Sequence, residues 1–497
     1  MSFAGWRWAG GTGICPRHFS IIALVEGQAQ RSLVEFSVPL TREQAEAIYA
    51  QGREAVIFVL MQLGARLAEK SVAQKPPSPS TPSGMVPVYE KPAVRRRRKK
   101  PGAKQGHAGA RRQPPPHITR QEEHPPLATC PECGSPCGEA AERRFRLIED
   151  IPDTEPEVTE HSIPRHWCAR CGKFVEPPVP DAMPGATFGH RLVTLSAWLH
   201  YGLGVTISQV VSVLGQHLHF RLSEGGLADA WRRLAGVLEA WYDQIGREVK
   251  HSGVLHADET GWRVNGQTEW LWCFSTKDAT FYMINGSRGS PALSKFFTEA
   301  FDGTLVTDFW PAYNAVVCAA RQACLPHLFR ELDEVSEKDN SRLWRAFSKK
   351  LKRLLRDAIR LSRPDGVTEE EYGSRRVRIR KRLDWLLAAP WHNPNAERLR
   401  GRLDRYRDAL FTFLDHPEVP SDNNHAEREI RPAVIMRKNS LCNRSEQGAD
   451  VQAVMMSVYR TLKLRGLDPL DTIVAALREY VSTGVLPPLP AANRSDG

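Results

Sequence analysis

The spacing of apolar and polar positions changes several times along the chain, and each change marks a segment. Residues 41–70 read as one helix. Val56, Leu60, Leu63 and Leu67 step by four, three and four, as along a coiled-coil seam, while Glu46 and Arg53 break the pattern upstream. Dimerisation and packing on its own domain both fit this helix. Residues 187–250 are helical again, with stretches at 191–201, 208–214 and from Ser223 to Trp241 or beyond, each near a Ser or Thr cap. They suit a helix-turn-helix as well as a small packing bundle. From 251 the period shortens. Residues 254–258, 269–274 and 280–284 read as an antiparallel meander with Asp278-Ala279 in its second turn. A short helix at 291–299, a strand ending at Asp308, a helix from Pro311 and a fifth strand at 324–328 follow. Residues 331–419 are rich in Arg, Lys and Leu, with helical patterns at 343–355 and 398–414. A further helix starts near Asn423 or Asn424 and carries Glu427, and 451–480 is helical to the end of the pattern.

Strand-strand-strand-helix-strand-helix-strand-helix is the order of a ribonuclease H-like domain, an α/β fold on a mixed sheet. There the first and fourth strands are neighbours, which predicts Asp258 beside Asp308. The expected organisation is multidomain. It comprises an unassigned extension (1–40), an N-terminal helix (41–70), a Pro-rich and basic linker arm (71–126), a zinc ribbon (127–180) and a helical, helix-turn-helix-like region (187–250). The ribonuclease H-like domain begins at 251–330, is interrupted by a helical insertion (331–419), and resumes at 420–490 with its last catalytic helix and the C-terminal helices.

Composition adds a partner. The 497 residues hold 68 Lys and Arg against 57 Asp and Glu, a net charge of +11, which favours a polyanion, nucleic acid before membrane. Apolar runs fall short of the roughly 20 residues that a membrane span needs, and 19–25 lacks the flanks of a signal peptide. A cytoplasmic location is expected. The linker carries six consecutive cations, Arg95, Arg96, Arg97, Arg98, Lys99 and Lys100, between Pro- and Gly-rich stretches. They read as an arm on DNA phosphates or as a solvated linker. Five of the ten cysteines lie close together. Cys130-Pro-Glu-Cys133 and Cys168-Ala-Arg-Cys171 are two knuckles suited to a closed, structural tetrahedral Zn2+, with strands expected at 145–151 and 158–165. Cys137 is a spare ligand.

The candidate chemistry lies in three carboxylates. Asp258 sits in an apolar run, Asp308 ends another, and Glu427 lies on a polar helix start. Three such groups can hold two Mg2+ (or Mn2+) ions for phosphodiester chemistry, with Asp258 bridging both, Asp308 on one and Glu427 on the other. Each also has a bland alternative, and 424–427 fits a capping box with Glu427 at the third helical position. Glu259 and Glu429 are expected to face away from the three. His327 fits the site or, more simply, a packed core.

His256-Ala-Asp-Glu-Thr-Gly-Trp-Arg-Val264, Val306-Thr-Asp308 and Ser421-Asp-Asn-Asn-His-Ala-Glu-Arg428, with Ile430-Arg-Pro432 and Arg437-Lys-Asn439 after them, resemble the insertion sequence 66 family of DDE transposases over about 41–490. The resemblance implies that Asp258, Asp308 and Glu427 form the DDE triad, and that Arg428, Arg431, Arg437 and Lys438 contact phosphate. It also implies DNA at element ends and target as partner, further copies of the chain on DNA, and accessory proteins of the same element. The implied function is metal-dependent cleavage and joining of DNA strands. The alternative is a non-catalytic DNA-binding protein, a repressor or an inactive transposase copy.

Overall fold

The computed structural model describes residues 18–21, 34–37, 42–50, 52–53, 56–57, 60, 114–361 and 368–493. The basic run Arg95–Lys100, most of the expected linker, and Leu63 and Leu67 lie outside the described residues. The chain divides into two compact units, Met1–Pro79 and Ser80–Gly497. In the first, β1 (His18–Ile21) pairs antiparallel with β2 (Val34–Ser37), and α1 spans Arg42–Ala50.

In the second unit, β3 (His166–Cys168) and β4 (Lys173–Val175) form a small hairpin. The strands expected at 145–151 and 158–165 are absent. Phe145, Ile151 and Val158 are about nine-tenths exposed, so the alternation there finds no sheet or core to bury against. The strands instead flank the second cysteine pair, whose tight turn brings them together.

Three helices precede the large sheet: α2 (His190–Ala197), continued by a wider turn at Trp198–Gly202, then α3 (Ile207–His217) and α4 (Glu224–Lys250). Thr206 caps α3 in a reciprocal box with Gln209, and Ser223 caps α4. Trp231, Leu234, Leu238, Trp241 and Ile245 of α4 are buried in the same core as the sheet. The helices therefore pack as part of the central body.

The sheet contains β5 (Val254–Val264), β6 (Gln267–Ser275), β7 (Thr280–Asn285), β8 (Phe301–Thr307) and β9 (Cys318–Ala323), with α5 (Ser290–Phe296) between β7 and β8. Its order is β7-β6-β5-β8-β9, antiparallel from β7 to β5 and parallel from β5 to β9. β5 runs past Gly261 to a two-residue turn, Asn265-Gly266, in which both residues have positive φ, as such turns require. The edge strand β7 is sealed by α11 (Glu446–Leu464): Ser457 and Thr461 accept hydrogen bonds from the backbone N–H groups of Tyr282 and Thr280.

Two expectations fail here. Pro311 opens only a single 3-10 turn, Pro311–Ala315. The fifth strand is 318–323 rather than 324–328. Pro326 lacks a backbone N–H, which unfits it for a ladder but suits a helix start. The chain accordingly turns at Cys324 into α6 (Leu325–Lys338).

The region 331–419 holds α7 (Arg342–Leu361), α8 (Glu369–Ala388) and α9 (Pro394–Arg405), then short turns through Leu414 in place of the continuous helix expected at 398–414. With α6 they build a second core around Leu332, Trp344, Phe347, Leu351, Leu383 and Leu399, joined to the sheet by Val306 and Phe309. After it come α10 (Asn424–Ser440), α11 and α12 (Pro469–Thr483), so 451–480 is two helices. No helix among the described residues is long and apolar enough to cross a membrane.

Candidate functional site

The register of β5 and β8 brings two carboxylates together. The strands pair in parallel through Val254↔Thr304, Leu255↔Leu305 and His256↔Val306, and Asp258 and Asp308 each lie two residues beyond the last pair. Asp258 is half-buried and its Oδ1 accepts the N–H of Glu259 at 2.9 Å. Asp308 is half-buried and its Oδ1 accepts the N–H of Trp310 at 2.8 Å. Neither has an ion-pair partner among the described residues.

Glu427 arrives on α10, and the chain fixes that helix to the face of β5 that carries Asp258. His256 and Thr260 flank Asp258 at two residues on either side and so share its face. His256 Nδ1 lies 3.0 Å from Asn423 Oδ1, and Thr260 accepts from Arg437 at 3.0 Å. Asn423 also donates from Nδ2 to Ala257 O at 2.8 Å, which leaves its Oδ1 to accept from His256. Arg437 donates further to Gly261 O at 2.6 Å. His425 adds a third anchor through Nε2, 2.9 Å from Ser275 Oγ and 2.6 Å from Thr276 O. The capping box expected at 424–427 does not form. The N-cap is Asn423, whose side chain is committed to β5 and does not cap the helix, while Asp422 Oδ1 accepts the Asn424 N–H at 3.0 Å. Glu427 stands at the fourth helical position, half-buried.

Electrostatics link these groups. Burial pushes the Asp258 carboxyl well above the usual carboxylate range, with repulsion from Glu259, Asp308 and Glu427 adding to it. Asp308 is raised first by burial, and repulsion from Glu427 also raises it. The charges of Arg288 and Arg402 offset this at Asp308 only in part, and half-buried oxygen donors that repel one another fit a hard divalent cation. The three do not close within 4.8 Å of one another. Among the described residues, Cys324, His327 and Glu427 do.

Glu259 takes no part in that cluster. It is buried, with Oε1 accepting from Arg288 at 3.1 and 2.9 Å and Oε2 from Tyr313 at 2.7 Å. Burial, then the charge of Asp308, pushes its carboxyl up to about 7, and the two partners oppose that. The Arg288 guanidinium lies over Trp310, 3.8 Å from the ring centre, and over Trp270. Because the Trp310 backbone binds Asp308, this stack braces the end of β8. Sequence reasoning missed Arg288 and Tyr313, which lie 29 and 54 residues from Glu259 with no local pattern to mark them. Glu429 likewise faces away, paired to Arg460 at 2.9 and 2.6 Å.

His327 is not packed in the core. It lies on the first turn of α6, half-buried, with Nε2 3.8 Å from Glu427 Oε1. Among the cations expected at phosphate, Arg428, Arg431 and Lys438 are exposed, whereas Arg437 is committed to β5.

The cysteine pairs form two matching turns. Gly134 N–H bonds to Cys130 O, and Gly172 N–H to Cys168 O, both at 2.9 Å, with Gly134 and Gly172 at positive φ. A neighbouring hydroxyl and backbone N–H groups lower the Cys133 thiol to about 7. No three of the thiols gather within 4.8 Å. The segment nevertheless suits zinc, since its apolar residues stay exposed and leave a metal as the natural organiser.

Residues 185–451 match the transposase IS66 family, and residues 128–172 match the zinc-finger binding domain of transposase IS66. Three similar proteins come from Sinorhizobium fredii, each named an uncharacterized protein. y4qI is 28% identical over 281 residues, 48% of this chain and 50% of the relative. y4hP is 24% identical over 418 residues, 73% of each chain. y4jD is 23% identical over 410 residues, 74% of this chain and 78% of the relative. The chain thus spans about half the length of the first of these relatives.

Proposed function

The chain belongs to the IS66 family of transposases, and on that premise we propose that it cleaves and joins DNA strands at element ends, with Asp258, Asp308 and Glu427 holding divalent metal. What supports this reading is the approach of the three carboxylates, near enough for their charges to repel one another. β5 and β8 bring the two aspartates together in parallel register, and Asn423 and Arg437 bind the Glu427 helix to the Asp258 face. The order β7-β6-β5-β8-β9 supports a ribonuclease H-like domain with 331–419 as its insertion.

Mg2+ or Mn2+ bound there supplies activation of the attacking oxygen and stabilisation of the leaving one. The chain's own part is positioning. Asp258 and Asp308 are held by neighbouring backbone N–H groups, and the Glu259–Arg288–Trp310 stack steadies the β8 end. Exposed Arg428, Arg431 and Lys438 follow Glu427 and suit phosphates. Water is the nucleophile for nicking, and a DNA 3′-hydroxyl for joining. The Cys130/Cys133 and Cys168/Cys171 knuckles hold the structural zinc of the zinc-finger domain. DNA is the partner, with further copies of the chain and accessory proteins of the element assembled on it, and the setting is the cytoplasm.

The test is cleavage of duplexes carrying the element ends, with the element's accessory proteins present, for wild type, Asp258→Ala, Asp308→Ala and Glu427→Gln. Each variant is expected to bind DNA normally. Each should lose more activity than the roughly 10–100-fold that even an outer partner of a metal ligand is worth. Wild type that binds without cutting, or variants that cut like wild type, overturn the reading in favour of a binding protein.

A further inference from the structure

The turn from β9 into α6 presents a thiol and an imidazole to the outer side of Glu427. Cys324, His327 and Glu427 each offer a ligand atom within 4.8 Å of the others. The His327 Nε2 to Glu427 Oε1 distance is 3.8 Å. A tetrahedral zinc with its usual bond lengths places neighbouring ligand atoms about 3.3–3.8 Å apart, so closure needs only small movements. His327 Nδ1 is buried and has no hydrogen-bond partner among the described residues. Nε2 is the nitrogen that faces Glu427, so a cation there would take Nε2 and leave the proton on Nδ1.

We propose that Cys324, His327 and Glu427 form a second divalent-cation site, softer than the carboxylate cluster and suited to Zn2+, which shares Glu427 with that cluster. A sulfur and an imidazole select zinc over magnesium, whose preference is for oxygen. Three protein ligands leave a fourth position for water, an open rather than a closed zinc site. His327 and Glu427 are each about three-tenths exposed, which gives an ion a way in, while the Cys324 sulfur is sealed behind them. The sulfur is held in place by the Asn423 N–H at 3.2 Å. The same asparagine thus touches β5, the Glu427 helix and the Cys324 turn, so the two sites are built on one frame. On binding, the Cys324 thiol releases its proton to solvent and the sulfur takes the metal. Zinc there draws Glu427 away from Asp258 and Asp308, so it inhibits the magnesium-supported reaction. This consequence rests on the reading of Glu427 as a member of the catalytic cluster; the site itself does not.

The test is zinc content per chain of full-length protein, equilibrated against buffered free Zn2+, for wild type, Cys324→Ser and His327→Ala. Each variant is expected to hold one zinc fewer than wild type, the zinc-finger zinc being common to all. Equal content in all three overturns the site. Cadmium NMR of the wild-type chain keeps the test independent of variant folding. A resonance for a mixed sulfur, nitrogen and oxygen site, apart from that of a thiolate-rich finger, is expected, and its absence counts against the proposal. Zinc should then suppress magnesium-supported cleavage at least tenfold in wild type and less in Cys324→Ser. If content is unchanged while Glu427→Gln abolishes cleavage, only this inference falls. If content drops while Glu427→Gln cuts like wild type, the catalytic reading falls and the zinc site stands.

Discussion

Asn423 occupies a position where a helix usually receives a side-chain cap, yet its amide bonds to Ala257 and His256 of β5. Local pattern favours a capping box at 424–427, but an asparagine that bridges two elements satisfies more buried polar groups than one that caps its own helix. That tertiary demand cannot be read from four residues. The carboxylates were more legible, because an Asp in an apolar run stands out in any sequence. Arg288 and Tyr313 were not, since nothing local marks them, and for His327 the sequence leaves the site and a packed core both open, the core being the simpler reading. His256 carries a measurable consequence. Burial chiefly, with His425 contributing, depresses its imidazole to about 4. The neutral ring therefore adds stability that is present above the ordinary value of about 6.5 and lost as pH falls from there toward 4, worth about 3 kcal/mol at most. Urea unfolding between pH 7 and 4 should show this loss, and His256→Gln should flatten it. An unchanged slope in the variant would assign the acid sensitivity elsewhere.

Among the elements, the meander and the β8 strand are legible because buried strands read as apolar runs bounded by turns. β9 is not, because Cys-Ala-Ala-Arg-Gln-Ala is short-chained and half-covered, and the apolar pattern lies one element later. The zinc-finger segment fails differently. Phe145 and Leu147 alternate as on one face of a strand, but they and Ile148, Ile151 and Val158 stay exposed, and 128–172 has too little buried surface to hold a sheet by packing. Its order then depends on metal, so chelation has a local effect. Limited proteolysis after zinc removal is expected to open 138–165 quickly while the body from 190 to 483 resists. Equal resistance with and without zinc would show that the segment holds without a metal, and simultaneous digestion of the whole chain would show that the metal supports the central core.

At the scale of the whole molecule, the proposed function gives net charge and the basic run a role in meeting DNA. Each phosphate contact adds about 0.9 to the slope of log affinity against log salt on duplex DNA. Replacing Arg95–Lys100 by serine should flatten that slope by up to about 5 while leaving strand cleavage chemistry intact at low salt. An unchanged slope would assign the run to the linker alone. The order of the elements was legible as a whole even where single boundaries were not, because each strand and helix in that order constrains the next. The central claim is that Asp258, Asp308 and Glu427 work as metal-binding carboxylates. Exchange of a ligand oxygen for sulfur tests it most directly, since Mg2+ prefers oxygen and Mn2+ tolerates sulfur better. Cleavage and joining by Asp308→Cys should fail in Mg2+ and return in part in Mn2+, with DNA binding unchanged in both. Full activity of the variant in Mg2+, or equal loss in both metals with binding intact, would contradict the account.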